Sequence, residues 1–435
     1  MRQPDAIVIG GGLAGCEAAW QLANRGKTVE LWEMKPLCFS PAHKNKDLAE
    51  LVCSNSLKAK KEDSASGILK REMRALGSLL LECAEQTAVP AGGALAVDRG
   101  KFAQLATEKI ESHPNIKRMA KRAERLPEHP CVIVATGPLT DGPLAEQIQQ
   151  LCGAPLSFYD AAAPIVSLES LDLSRAFYAG RYDQPDDYLN CPMTKDEYDA
   201  FYNALMSAER APLHEFDKVT HFEGCMPIEA IAARGYQTPL FGPMSPKGLT
   251  DPATGRWPYA AVQLRREDKA GTMFNLVGFQ TNLKFGEQKR VFGMIPALKN
   301  AEYLRYGVMH RNTYLPKQTL DFHLALKQNP AVCFAGQITG VEGYVESMAM
   351  GLWAGLCCGM KLEGKQPPVL PNDTAMGALL AYVSGYDGKD FQPMNMNFGL
   401  MAPMETKRMP KAEKQKLRSR WAKEQFEKAM FDSQR

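Results

Sequence analysis

Long apolar runs are missing from this sequence. No stretch of about 18 apolar residues occurs, which argues against a membrane-spanning helix and against a membrane partner. The eleven cysteines include no CxxC pair, so neither a structural zinc site nor a dithiol redox motif is expected, and no metal is. They also lack the dense spacing of a secreted disulfide scaffold. Cys16, Cys83, Cys131, Cys152, Cys333, Cys357 and Cys358 sit in apolar stretches, where a thiol behaves as a small hydrophobe. Neither sign of charge predominates: the formal net charge is only +3, too small to announce a nucleic-acid partner. Internal repeats and low-complexity tracts are absent. The first residues run straight into a strand and a glycine loop, leaving no room for a signal peptide, so cytoplasmic residence is expected.

The chain does carry 435 residues, long for one core, and two domains are expected. Ala6-Ile7-Val8-Ile9 reads as a buried parallel strand, followed by Gly10-Gly11-Gly12-Leu13-Ala14-Gly15 and an alanine-rich helix to about Asn24. Lys27 to Trp32 reads as the second strand, ending in Glu33. Each part of this βαβ unit has a mechanical task. Gly10 permits the tight turn, Gly12 lets backbone approach a pyrophosphate, and Gly15 lets helix and strand pack closely. Free N–H groups at the helix start suit phosphates, and Glu33 is placed for ribose hydroxyls, which disfavours NADP at this site. Cys131 to Pro138 is another buried strand; its Ala135-Thr136-Gly137 turn resembles the strand that closes many FAD-binding folds. Ala331 to Ala335 is a further strand, followed by Gly336-Gln337, Gly340, Gly343 and a helix from about Tyr344. Such a helix start points at a flavin's pyrimidine end, where its dipole stabilises an anionic reduced ring. The fold class is therefore α/β: a Rossmann-type, glutathione-reductase-like FAD-binding domain over residues 1–166 and 307–400. An α+β domain is inserted at 167–306, and a basic C-terminal helix occupies 401–435.

Several segments can carry chemistry. Cys53, in Leu51 to Lys58, lies beside Lys58, Lys60 and Lys61, and cationic neighbours favour a thiolate. Cys225 sits between Gly224 and Pro227, flanked by Glu223 and Glu229. His221 stands near enough to serve as a base. For both cysteines a structural role competes with a reactive one, and Tyr344 can stack on a flavin or simply pack. The amide-rich stretch Phe391 to Gly399 suits the edge of a flat heteroaromatic ring, or is a solvated loop. The tail reads as a helix from Lys411 to Phe431, with Trp421, Phe426 and Met430 packing down and basic residues facing out. Such a face follows a phosphate backbone or is merely solvated.

Taken in order, Ala49 to Leu57, Val89 to Arg99, Tyr159 to Val166, Phe222 to Glu229 and Gly336 to Ser347 closely resemble the folate- and FAD-dependent tRNA (uracil-5-)-methyltransferases called TrmFO. The resemblance runs from the first strand to at least Gly399; the tail after Met401 matches only in character. One departure is Lys44 after His43, where a second histidine is expected. The resemblance implies that methylenetetrahydrofolate supplies one carbon, reduced FAD supplies electrons, and NADH or NADPH re-reduces the flavin. A uridine in the T-loop of tRNA becomes 5-methyluridine. Carried onto matching positions, Cys53 and Cys225 are the two functional thiols, Cys225 assigned as nucleophile and Cys53 as acid/base, and Tyr344 lies against the flavin. Two thiols suit the task, because uracil C5 becomes nucleophilic only after something adds at C6, and a base must then remove the C5 proton. With such a target the basic tail reads as an RNA contact. Rival readings are the same chemistry on a uridine of 23S ribosomal RNA, an NAD(P)H-dependent flavin oxidoreductase, and a flavin-loaded RNA-binding protein. A relative acting on the tRNA wobble uridine is much longer than this chain.

Overall fold

In the computed structural model, residues 3–153, 156–182, 184–212, 226–388, 391–404 and 409–432 are described. Short aliphatic runs form the main sheet, because strands covered on both faces have no polar side to show. Its order is Ala325–Leu326, Asn329–Phe334, Val132–Val134, Ala6–Ile9, Val29–Glu33 and Ile116–Ala120. All neighbours are parallel except the first pair. Residues far apart in sequence thus become neighbours: Val132 pairs with both Ile7 and Val332.

The helix Leu13–Asn24 packs against the helix Tyr344–Leu362 almost backbone to backbone. A Cβ on Gly351 would stand 2.1 Å from the Ala14 carbonyl oxygen, and one on Gly355 2.5 Å from that of Ala18. The second helix is buried from Val345 to Met360, which explains why its sequence is apolar all round.

A second sheet runs Phe177–Tyr178, Tyr188–Met193, Ala260–Arg266, Met273–Leu276, Ile165–Ser167 and Tyr303–Arg305, with its own core around Phe201, Phe274, Phe279 and Phe292. The chain leaves and re-enters the first half through one antiparallel pair, Leu156–Ala161 with Met309–Tyr314. A small sheet of Ser56–Ala59, Ala94–Val97 and Ala88–Val89 is stitched to the second one. Gly92 N–H donates to Asp187 Oδ2 at 2.7 Å, Tyr188 Oη to the Ala91 carbonyl at 3.1 Å, and Lys269 N–H to Asp98 Oδ2 at 3.1 Å.

The tail forms the helix Lys411–Asp432. Ser419, Ala422 and Phe426 face inward, whereas Trp421 is 42% exposed and does not pack down as its apolar character suggested. The small Ala422 is what lets the helix approach. Arg71 donates to the Ser419 hydroxyl at 2.8 Å and its carbonyl at 2.6 Å, and Arg418 donates to the carbonyls of Phe398 and Ala402 at 3.1 and 3.2 Å. Lys407 and Arg408, the first two cations of the basic tail, lie outside the described residues.

Two buried carboxyls tie helix starts to the core. Glu17 accepts from the Leu80 N–H at 2.9 Å, and Glu72 from those of Ala375 and Met376 at 2.9 and 2.8 Å. Burial outweighs these bonds and pushes both carboxyls up to about 7. A raised carboxyl contributes stability that is fully present below its unfolded value near 4.5 and is lost as pH rises through about 7. The melting temperature is therefore expected to fall between pH 5 and pH 8 by the contribution of these groups. Glu72→Gln should flatten part of that slope; an unchanged slope would remove Glu72 as its source.

Among the described residues, no helix is long and apolar enough to cross a membrane, and no group of three or more His, Cys, Asp or Glu side chains is placed to hold a metal ion.

Candidate active site

The carboxyl ends of the main-sheet strands open onto a cleft that runs from the glycine loop to Cys53 and Tyr344. Its floor is the glycine loop. Gly10 has φ +101°, and a Cβ there would lie 2.5 Å from the Ala135 carbonyl oxygen. Gly15 is pressed harder still: its Cβ would be 1.8 Å from the Gly10 carbonyl oxygen. Gly12 differs, with no atom within 4 Å of its would-be Cβ. It ends the loop as the N-cap of the Leu13–Asn24 helix, without a side-chain cap, so the first N–H groups of that helix point toward open space in the cleft.

Gly10, Gly12, Leu13, Ala14, Glu33, Thr136, Gly137, Gly336, Gln337, Cys53 and Tyr344 all line this cleft. Gly11 and Gly15 do not. The Gly11 N–H is spent on Glu33 Oε2 at 2.7 Å, and Gly15 serves helix–strand packing. Glu33 Oε1 accepts from the Lys35 N–H at 2.9 Å. A carboxylate has about four acceptor positions, so these bonds orient it and leave capacity for ribose hydroxyls. Thr136 and Thr140 hydroxyl oxygens lie 2.6 Å apart, and Gly137 (φ +77°) turns the chain there. On the opposite wall a Cβ on Gly336 (φ +82°) would meet Ala14 Cβ at 2.8 Å. Gly343 (φ +109°) is the N-cap of the helix beginning at Tyr344, whose first turn also borders the cleft through Ser347. Two uncapped helix starts, an oriented acid and glycine-lined walls form a cradle for a dinucleotide carrying a pyrophosphate.

Cys53 and Tyr344, 291 positions apart, meet at this cleft. The Tyr344 hydroxyl donates to Cys53 Sγ at 3.2 Å and accepts from the N–H groups of Cys53 and Ser54 at 2.7 and 3.1 Å. Burial and the neighbouring Cys53 push the Tyr344 phenol far up, so it stays protonated and donates. The cations near the thiol are not the ones adjacent in sequence. Lys58 is ion-paired with the buried Glu346, and Lys61 pairs with Asp63 at 3.1 Å. Instead Arg99 and Arg305 stand in electrostatic range of Cys53 and Tyr344. Burial pulls the Arg99 guanidinium down, but Glu267, Tyr344 and Cys53 outweigh it and leave it raised.

The loop bearing Cys53 is clamped from both halves of the chain. Arg99 donates to the Leu51 carbonyl at 2.9 Å and holds Glu267 through two bonds of 2.9 Å. Arg265 donates to Asn55 Oδ1 at 2.9 Å and to Ser54 Oγ at 3.4 Å, while Asn55 donates to the carbonyls of Val97 and Arg266, each at 2.9 Å. Asn55, Arg99, Arg265 and Glu267 carry no mark in the sequence of a role at this thiol. An alternation of charges at a strand end carries no sign of its partner, so only folding reveals them.

Cys225 and His221 lie outside the described residues. The chain just beyond is anchored: the Ile228 N–H donates to the Gln280 carbonyl at 2.7 Å. Glu229, read as a flanking acid, is buried and holds Thr281 Oγ1 at 2.9 Å and the Asn282 N–H at 2.7 Å. The Phe391 to Gly399 stretch does not line the cleft; it braces the Gly336–Gly343 loop from behind, with the Phe391 ring against Gly340 and the Met396 N–H on Glu346 Oε1 at 2.8 Å.

The family model described as "Glucose inhibited division protein A" matches residues 5–366. The chain is 54% identical over 98% of its length and 98% of the other's to methylenetetrahydrofolate--tRNA-(uracil-5-)-methyltransferase TrmFO of Heliobacterium modesticaldum. It belongs to the TrmFO family. The TrmFO of Geobacter sulfurreducens is 53% identical over 92% of this chain and 93% of that one. Among solved structures, Aquifex aeolicus GidA superposes with a TM-score of 0.69 at 16% identity, over 91% of this chain and 69% of the other. That likeness shows a shared α/β fold with mixed sheets. It leaves about a third of the GidA chain unmatched.

Proposed function

We propose that this chain methylates uridine C5 in the T-loop of tRNA, taking the carbon from methylenetetrahydrofolate and electrons from reduced FAD that NADH or NADPH regenerates. The observation that carries the reading is Cys53 held by the Tyr344 hydroxyl at the edge of a glycine-lined dinucleotide cleft. The name shared by the relatives at 53–55% identity favours tRNA over ribosomal RNA as the substrate. The cradle suits FAD: Gly10, Gly12 and Leu13 would hold its pyrophosphate, Glu33 its ribose, and Thr136, Gly336, Gln337 and Tyr344 would border its ring. Once bound it supplies the reducing electrons for the transferred carbon. The protein side of the chemistry belongs to the thiols. Cys225 adds to uracil C6, making C5 nucleophilic, and Cys53 removes the C5 proton afterwards. A hydroxyl donating to Cys53 Sγ, with Arg99 close by, favours the thiolate that this step needs.

In this reading residues 1–166 and 307–400 form a Rossmann-type, glutathione-reductase-like unit that holds FAD, and 167–306 form an inserted α+β domain. The insert positions the Cys53 loop through Arg265 and Glu267. The basic tail of 401–435, with its helix Lys411–Asp432, is an RNA-facing element, with Arg418 reserved for docking it. The enzyme works in the cytoplasm, where its tRNA and folate substrates meet. The test is direct: incubate purified protein with unmodified tRNA, methylenetetrahydrofolate and NADH, and analyse nucleosides by mass spectrometry. 5-Methyluridine is expected with tRNA. Its appearance only with ribosomal RNA, or flavin turnover indifferent to folate, would overturn the reading.

A further inference from the structure

Beside the cleft, the edge strand Tyr303–Arg305 and the residues after it carry features that neither the dinucleotide cradle nor the Cys53 clamp uses. The strand pairs on one side only, with Ile165–Ser167. The chain then presses onto the cleft wall. A Cβ on Gly307 would lie 2.8 Å from the carbonyl oxygen of Ala162, whose N–H donates to the Val308 carbonyl at 2.8 Å. Ala162 itself lines the cleft.

Three rings stack at this point. Tyr303 and Tyr306 are 5.1 Å apart at an interplanar angle of 6°, and Tyr306 and Phe285 are 4.7 Å apart at 16°. Tyr306 is the middle ring, so Phe285 is the outer one, and it is 55% exposed as the first residue of the helix Phe285–Phe292. One turn along that helix Lys289 is exposed, and no ion pair to it is formed among the described residues.

Arg305 adds a cation. It is half-buried and, among the described residues, its guanidinium has no hydrogen-bonding or ion-pairing partner. It stands in electrostatic range of Arg99, Tyr344, Glu50 and Cys53, and it also acts on His43 in the cleft wall. Burial, then Arg99, pulls its guanidinium below its usual range. A desolvated cation facing another cation is a costly arrangement that an incoming anion relieves.

We infer that Arg305 and the outer face of Phe285 form a subsite for one nucleotide of the RNA flanking the target uridine, with Arg305 taking a phosphate and Phe285 stacking a base. The inference rests on the RNA-modifying reading above and extends it to the surface that presents the uridine to Cys53. Two observations favour RNA over the folate, which also joins a flat ring to anionic groups. Phe285 is exposed and Lys289, one turn along the same helix, adds a second exposed cation that a chain of phosphates can meet, and stacking on an aromatic face is the sequence-tolerant way to hold a flanking base.

The test uses the full-length flavin-loaded protein and unmodified tRNA, with equilibrium binding measured over a series of salt concentrations. Phe285→Ala should weaken tRNA binding about 5- to 150-fold, the range expected for one lost stacking contact. Arg305→Gln should lower the slope of log affinity against log salt by about one, and Arg305→Lys should restore it. Phe285→Leu, which keeps the apolar volume and loses the flat face, covers the case in which the alanine variant fails to fold. Unchanged tRNA binding in the folded variants would overturn the subsite. So would a raised KM for methylenetetrahydrofolate with tRNA binding intact, which would put the folate tail at Arg305. Binding is scored without any turnover, so a protein that binds tRNA through Phe285 yet makes no 5-methyluridine would defeat the proposed reaction and leave the subsite standing.

Discussion

Cys53→Ala is expected to lower the rate of 5-methyluridine formation by about 10²- to 10⁴-fold, the usual worth of a positioned acid/base group. The fold should survive. Cys53 is half-exposed, and its backbone N–H, which holds Tyr344 Oη at 2.7 Å, is kept in the variant. The two-thiol division of labour makes a sharper forecast than a rate. With Cys225 adding to C6 and Cys53 removing the C5 proton, the Cys53→Ala protein should trap RNA as a covalent adduct after the carbon unit has arrived. Cys225→Ala should form no adduct at all. Denaturing gels of each variant with tRNA and methylenetetrahydrofolate read this directly, and the opposite pattern would exchange the two roles. Adducts in neither variant would end the covalent scheme.

Gly15→Ala should damage the fold itself. The added methyl would sit 1.8 Å from the Gly10 carbonyl oxygen, a backbone atom that cannot move without shifting the phosphate loop. Overpacking of this kind costs about 1–3 kcal/mol, and more where the opposing atom is fixed backbone. The purified protein should melt well below wild type and take up no yellow chromophore on reconstitution with FAD. Gly12→Ala provides the contrast. Its φ of −76° suits alanine and no atom lies within 4 Å of the new methyl, so the cofactor-free protein should melt like wild type. That methyl instead projects into the cleft, where a pyrophosphate needs close backbone approach, and flavin affinity should fall. Equal flavin binding by Gly12→Ala and wild type would mean that the pyrophosphate lies elsewhere.

The phosphate loop was legible because its requirements are local. A strand, a turn at Gly10, an open Gly12, a tight Gly15 and an acid at Glu33 fall within 28 residues, and sterics over a few bonds set each of them. The start of the helix at Tyr344 was legible for the same reason: glycines at positive φ precede an unbroken helical run. What surrounds Cys53 was not. Lys58 lies five positions on and looked like its cation, yet it pairs with Glu346, while Arg99 and Arg305 take that place. Likewise Trp421 looked like a packing residue, but the helix turns Ala422 and Phe426 inward.

By itself, then, the sequence determined the elements and the kind of ligand the first of them can cradle, since short-range geometry and apolar periodicity are written residue by residue. Only the tertiary structure decided who faces the thiol. Tyr344 reaches Cys53 across 291 positions and Arg265 reaches Asn55 across 210. Such meetings depend on strand order and on where a chain returns after a long excursion, and no local pattern of residues encodes either.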